Sequence, residues 1–205
     1  MKILLSDTGK RYNREWIFRH LTYEFNPGNA YAITGNNGSG KSTLLQVIAG
    51  AIQHSEGTIG YEQTGEQIAA DQAFQYISIA APYLELMEEM TLEEFFAFHF
   101  SFKNLLPGQT ISSIINIIGL SHAVQKQIRY YSSGMKQRVK LAQAIFSDVP
   151  VVLLDEPCTN LDQDGIELYQ RLVEHHCKER LLIISSNDQQ EYGFCEFVLP
   201  IGRYK

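Results

Sequence analysis

Hydrophobic and polar positions change their period along this chain. Ile3–Leu5 is apolar and Trp16–Phe18 is rich in aromatic and β-branched residues, so both read as strands. Asn26-Pro27-Gly28-Asn29 is a turn, and Ala30–Thr34 resumes as a short strand. Gly35–Gly40 is a glycine-rich loop. Lys41–Ile48 then carries apolar residues at helical spacing and ends before Gly50. Gly57–Tyr61 and Tyr76–Ala80 read as further strands.

The middle of the chain reads as helical. Thr91 with Glu94 three residues on has the form of a capping box, predicting a helix to about Phe102. Ile111–Ile118 and Ala123–Ile128 predict two short helices, and Met135–Phe146 a longer one. Val151–Leu154 and Leu181–Ile184 are unbroken apolar runs, as expected of parallel strands covered on both faces. A helix near Asp164–His175 lies between them. This order predicts an α/β fold: a parallel-sheet core with a P-loop, a β-rich start and an inserted helical subdomain. Residues 1–82 and 146–205 are assigned to the core, and 83–145 to the helical part.

Composition narrows the picture. The chain has 205 residues, 44% hydrophobic and 20% charged, enough for one domain with a true core. No window approaches 18 consecutive apolar residues, so no membrane span is expected, and the start lacks the form of a signal peptide. Three cysteines, Cys158, Cys177 and Cys195, fit a reducing compartment better than a disulfide framework. The net charge of −6 argues against nucleic acid as a partner.

Gly35-Asn36-Asn37-Gly38-Ser39-Gly40-Lys41-Ser42, with Thr43 next, fits G-x-x-x-x-G-K-[ST] between a strand and a helix. Backbone N–H groups in such a loop turn toward phosphate oxygens, and the helix N-terminus adds its positive end. Lys41 is expected at the β- and γ-phosphates of a nucleotide and the Ser42 hydroxyl on Mg²⁺. Asp155 and Glu156 end the strand Val151–Leu154, at the carboxyl edge where such sheets bind ligands. Asp155 suits the metal, through water. Glu156 suits the attacking water.

Tyr131-Ser132-Ser133-Gly134-Met135-Lys136-Gln137-Arg138 precedes that strand. With the P-loop, Asp155-Glu156-Pro157 and Thr159-Asn160-Leu161-Asp162, it resembles, over nearly the whole chain, the nucleotide-binding domain of the ATP-binding cassette (ABC) family. The segment is similar to the family signature Leu-Ser-Gly-Gly-Gln in a degenerate form. Ser132 and Gly134 match, while Tyr131, Ser133 and Met135 depart. The resemblance implies an ATPase that pairs head to tail with a second cassette, as a homodimer or heterodimer. The P-loop of one copy would face Ser132 and Gly134 of the other. It implies that Tyr12, 23 residues before Gly35, stacks on adenine. Trp16 is the fallback, with neighbours that suggest core. The resemblance also implies a membrane partner on another chain and a cytoplasmic location, peripheral on the inner face of the cell membrane.

Two further departures are legible. Asn187 stands where the family places a switch histidine. It can donate to a phosphate but carries no positive charge, so slower turnover is expected. No glutamine follows the Tyr76–Ile79 strand, where Ala80, Ala81 and Pro82 stand, and Gln75 comes too early. A soluble cassette ATPase and a slow or non-hydrolysing ATP-gated clamp remain as alternatives. Five phenylalanines, Phe95, Phe96, Phe98, Phe100 and Phe102, crowd the expected docking region. Helical spacing groups Phe95, Phe98 and Phe102 on one face and Phe96 and Phe100 on another. His99 reads as a partly buried helix residue, and Cys158 as no catalytic thiol.

Overall fold

The computed structural model describes residues 1–205. Two long strands, β1 (Lys2–Tyr12) and β2 (Glu15–Phe25), form an antiparallel hairpin. β3 (Ala30–Thr34) and α1 (Lys41–Ile48) follow, flanking the glycine-rich loop. β4 (Glu56–Gln63) and β5 (Glu66–Ile68) complete an antiparallel sheet of order β2-β1-β4-β5. Then come β6 (Ile77–Ala80), α2 (Leu92–Phe102), α3 (Ile111–Ile117) and α4 (Ser133–Ile145). The chain closes with β7 (Val151–Asp155), α5 (Gln163–His176), β8 (Leu181–Ser185), α6 (Gln189–Tyr192) and β9 (Phe197–Pro200). The central sheet is parallel, with order β6-β7-β8-β3-β9.

β7 shows why its sequence has no polar break. Val151 and Leu153 enter the core shared with α1 and the antiparallel sheet. Val152 and Leu154 enter the core shared with α2, α3, α4 and α5. Leu181 and Ile183 of β8 divide from Leu182 and Ile184 in the same way. Side chains alternate across a strand, so one sheet forms the wall of both cores.

The α/β architecture is as expected, with three local differences. Ala123–Ile128 is not a helix. Two 3₁₀ turns, Ser121–Ala123 and Ile128–Tyr130, flank a polar stretch. The donors there go elsewhere: Ile128 N–H to the Met90 carbonyl (2.9 Å) and Arg129 N–H to that of Glu88 (3.0 Å). The phenylalanines do not divide by the expected faces either. Phe95 and Phe96 are both buried, whereas Phe98 and Phe102 pair edge to face on the outside at 5.1 Å. The helix rests on the core along the edge between those two faces. Trp16 is half-buried and not core, because the guanidinium groups of Arg19 and Arg11 lie over its ring at 4.4 and 5.5 Å.

Candidate functional site

The loop between β3 and α1 is built around Gly40, which precedes the helix with φ of +102°. That left-handed conformation suits glycine, and a Cβ there would collide with Ile17. Lys41 is buried, and its Nζ donates to the Gly35 carbonyl (2.9 Å) and the Asn36 carbonyl (3.4 Å). The ammonium is thus folded back over the loop whose amides open the helix, giving a concentrated positive end.

At the carboxyl end of β7, Asp155 is 1% exposed and its Oδ1 has no hydrogen-bond partner. Burial pushes its carboxyl up from the ordinary range, opposed by the nearby hydroxyls of Ser185 and Ser42 and reinforced by Glu156. Glu156 follows at φ +43° and donates its N–H to the Ser185 carbonyl (2.8 Å). A hollow of about 210 Å³ gathers Asn37, Gly38, Gly40, Lys41, Ser42, Thr43 and Glu156 against Ile17. Asn187 joins this group. Its Oδ1 accepts the Gly35 N–H (3.2 Å) and its Nδ2 donates to Asn37 Oδ1 (3.0 Å).

Ser132 and Gly134 lie apart from that hollow. Ser132 caps α4, accepting the Met135 N–H at 3.2 Å, so the helix begins at Ser133, two residues before the expected start. Gly134 allows close approach: a Cβ there would stand 3.0 Å from the Asn160 carbonyl oxygen. Ser132, Ser133 and Gly134 border a second hollow of about 390 Å³ with Arg138 and Asp162. The two hollows share no residue. A larger one, about 720 Å³, lies between α5 and the segment leading to β9 and holds none of these groups.

The ABC transporter family model matches residues 18–159. The chain belongs to the ABC transporter family. It is the ATP-binding cassette of such a transporter, an ATPase. The cytochrome c biogenesis ATP-binding export protein CcmA of Xylella fastidiosa is 33% identical over 160 residues, covering 78% of this chain and 71% of that protein. The uncharacterized ABC transporter ATP-binding protein YybJ of Bacillus subtilis is 28% identical over 196 residues, covering 94% and 89%. In fold, the chain matches a putative ABC transporter ATP-binding protein of Pyrococcus furiosus with a TM-score of 0.84 at 21% identity, covering all of both chains. A dimeric ATP-binding cassette bound to ADP and Pi matches with a TM-score of 0.81 at 20% identity, over 98% and 95%.

The segment where no glutamine stands follows directly on β6. Ala80 ends β6, Ala81 is buried, and Tyr83 comes next but one. Burial, reinforced by Asp155, pushes the Tyr83 phenol up to about 12, while Gln46 of α1 acts the other way by hydrogen bonding. Tyr83 is thus close enough to Asp155 and to Gln46 of α1 to feel both, a placement that only the folded sheet brings about. Ile17 is another lining residue missed from sequence, although its place five residues after Tyr12 on the opposite strand of the hairpin was a usable signal. Tyr12 ends β1, 48% exposed, with Lys10 Nζ 4.8 Å from its ring centroid. The Cys158 thiol is pushed far up by burial and by Glu191, which makes it a poor nucleophile.

Proposed function

We propose that this cassette binds ATP with Mg²⁺ in the hollow between the P-loop and β7, and that Glu156 directs water at the γ-phosphate. The observation that carries this reading is the meeting of Lys41, Ser42, Thr43 and Glu156 in one hollow, beside a buried carboxylate with an unpartnered oxygen. The loop amides of residues 35–42 and Lys41 hold the phosphates. The Ser42 hydroxyl and Asp155, the latter through water, suit a hard cation that takes oxygen ligands. Such a cation, when bound, offsets charge on the phosphate oxygens. Glu156 accepts a hydrogen bond from the attacking water and orients it. Asn187, already bonded to Gly35 and Asn37, offers a neutral amide where a histidine would offer a titrating ring. Tyr12 provides a π-face for adenine.

A second cassette completes the site. The hollow at Lys41 is too small to enclose a nucleoside triphosphate, for sites of ligand size run to about 300 Å³ and above. Ser132 and Gly134 of a partner, at the start of the 13-residue α4, supply a helix N-terminus for the far side of the phosphates. Charge on the γ-phosphate then holds the two subunits together, and its loss releases them.

No helix is long and apolar enough to cross a membrane, and an exposed aromatic surface suits contact with a pore-forming subunit. Phe74, Phe98 and Phe102 are 61%, 40% and 75% exposed. Lys103 ties the first to the other two, donating from Nζ to the carbonyls of Phe74 and Ile77 at 2.8 Å. This aromatic surface suits a short apolar helix of a transmembrane subunit, which supports a peripheral position on the inner face of the membrane. ATP turnover and dimer mass of the wild type and of Glu156→Gln test the reading. The variant is expected to lose turnover and to accumulate as an ATP-bound dimer. Turnover at the wild-type rate would remove Glu156 from the mechanism.

A further inference from the structure

Between the switch residue and the loop carrying Glu156 lies a buried carboxylate to which the roles above give no work. Glu191 sits on α6, four residues after Asn187, and is 5% exposed. Its Oε1 accepts the Cys158 N–H at 2.6 Å. Its backbone carbonyl accepts the hydroxyl of Tyr169, also at 2.6 Å. Tyr169 is fully buried on α5, so α6 is anchored from beneath at the residue that reaches up to the loop.

The loop needs such an anchor. Glu156 holds a left-handed backbone, which a residue with a side chain keeps only when its surroundings impose it. Three bonds from three elements do so. The Ser185 carbonyl at the end of β8 accepts the Glu156 N–H (2.8 Å). Gln137 of α4 donates from Nε2 to the Pro157 carbonyl (2.8 Å). Glu191 of α6 holds Cys158. Only the last acceptor is a carboxyl oxygen: burial pushes this carboxyl up from its ordinary range, and hydrogen bonds from Ser186 and the Cys158 N–H, which favour the charged form, oppose that push.

We propose that Glu191 is a positioning residue for hydrolysis. Its carboxylate ties the loop that carries Glu156 to the helix that follows Asn187, so the water-directing and phosphate-sensing side chains keep one relative placement. The proposal rests on Glu156 acting on the attacking water, and Glu156→Gln tests that separately. Glu191 touches no reacting group. Its effect passes through the 156–158 backbone on one side and through Asn187, bonded to the P-loop, on the other.

Glu191→Ala and Glu191→Gln are compared with wild type and Glu156→Gln for ATP turnover, KM, melting temperature and amide hydrogen exchange over residues 156–160. Glu191→Ala is expected to lower kcat about 10- to 100-fold, the scale on which misplacing a reacting group acts. Its KM for ATP should stay within about twofold, since phosphate binding is untouched. Exchange at the Cys158 amide should quicken. Glu191→Gln keeps an oxygen that accepts the Cys158 N–H, and should recover most of the turnover and protection. A merely structural role would raise KM and lower the melting temperature together, with glutamine no better than alanine. Unchanged Cys158 exchange in Glu191→Ala, or kcat lost only in step with ATP affinity, would overturn the proposal. Normal turnover in Glu156→Gln would overturn the underlying assignment, whatever Glu191→Ala does.

Discussion

Asp155→Asn separates the stability of the site from its use. Asp155 is 1% exposed, its Oδ1 is unpartnered, and Glu156 adds repulsion beside it. Its register partner Ser185 also holds a buried hydroxyl oxygen without a partner. An asparagine removes the charge and brings an N–H that can reach that hydroxyl. A buried polar group left unsatisfied costs about 1–3 kcal/mol, and a charge costs more. The variant is therefore expected to be more stable by about 1–3 kcal/mol when melted without nucleotide, a rise of about 2–12 °C for a chain of this length. The order changes with Mg-ATP. A ligand at a hundred times its Kd stabilises by about 2.7 kcal/mol, and this increment should appear in the wild type and largely vanish in the variant. Thermal melts with and without Mg-ATP check both parts. A folded variant that melts at or below wild type without nucleotide would refute the view of Asp155 as a carboxylate kept at a cost for a cation.

Three further outcomes are expected. Phe96→Ala empties a fully buried position and should cost about 3–5 kcal/mol in denaturant melts, whereas Phe102→Ala, 75% exposed, should cost under about 0.5 kcal/mol and instead weaken capture of the membrane subunit. Tyr12→Ala should weaken ATP binding about two- to tenfold, the worth of one aromatic stack, and leave tripolyphosphate binding unchanged by calorimetry. Burial and then Lys103 hold the His99 ring below its ordinary value of 6.5. As pH falls through that value the unfolded chain takes up a proton that the folded ring refuses, so native stability drops. His176 shifts the same way. Ser147 gives its hydroxyl proton to the Gln143 carbonyl and so accepts from His99 Nε2. His99→Gln can keep that bond and should flatten the acid side of a melting-temperature profile without abolishing its slope.

The parts of the fold that repeat one rule over several residues were legible in the chain. β7 and β8 are apolar at every position because both faces are covered, and the P-loop is a spacing of glycines that serves one ligand. The hairpin was only half legible. Ile3–Leu5 and Trp16–Phe18 were visible, yet β1 and β2 each run for 11 residues. Their registers shift near Asp7 and His20, which hold positive φ, and irregular pairing erases the alternation that marks a strand. Of the site, Lys41, Ser42 and Asp155 carry their chemistry in local sequence. Ile17 does not, since it reaches the hollow only when separate elements fold side by side. Glu191 was invisible for the same reason: its partner lies 33 residues away.

The two-sided strand at the centre of the sheet also limits how the length of the chain can vary. Val151 and Leu153 belong to one core, Val152 and Leu154 to the other. A deletion of a single residue between Ser147 and Pro150 that pulled β7 along by one position would exchange the two sets and turn Asp155 toward the wrong layer. Nothing nearby can absorb the slip, because Asp148 N–H is fastened to the Asn104 carbonyl and the Pro150 carbonyl accepts Leu181 N–H. The turn at Thr64-Gly65 is the opposite case, exposed and joining two strands at the sheet margin. Insertions should therefore be tolerated at that turn and disruptive ahead of β7, where the count of residues sets which layer Asp155 faces.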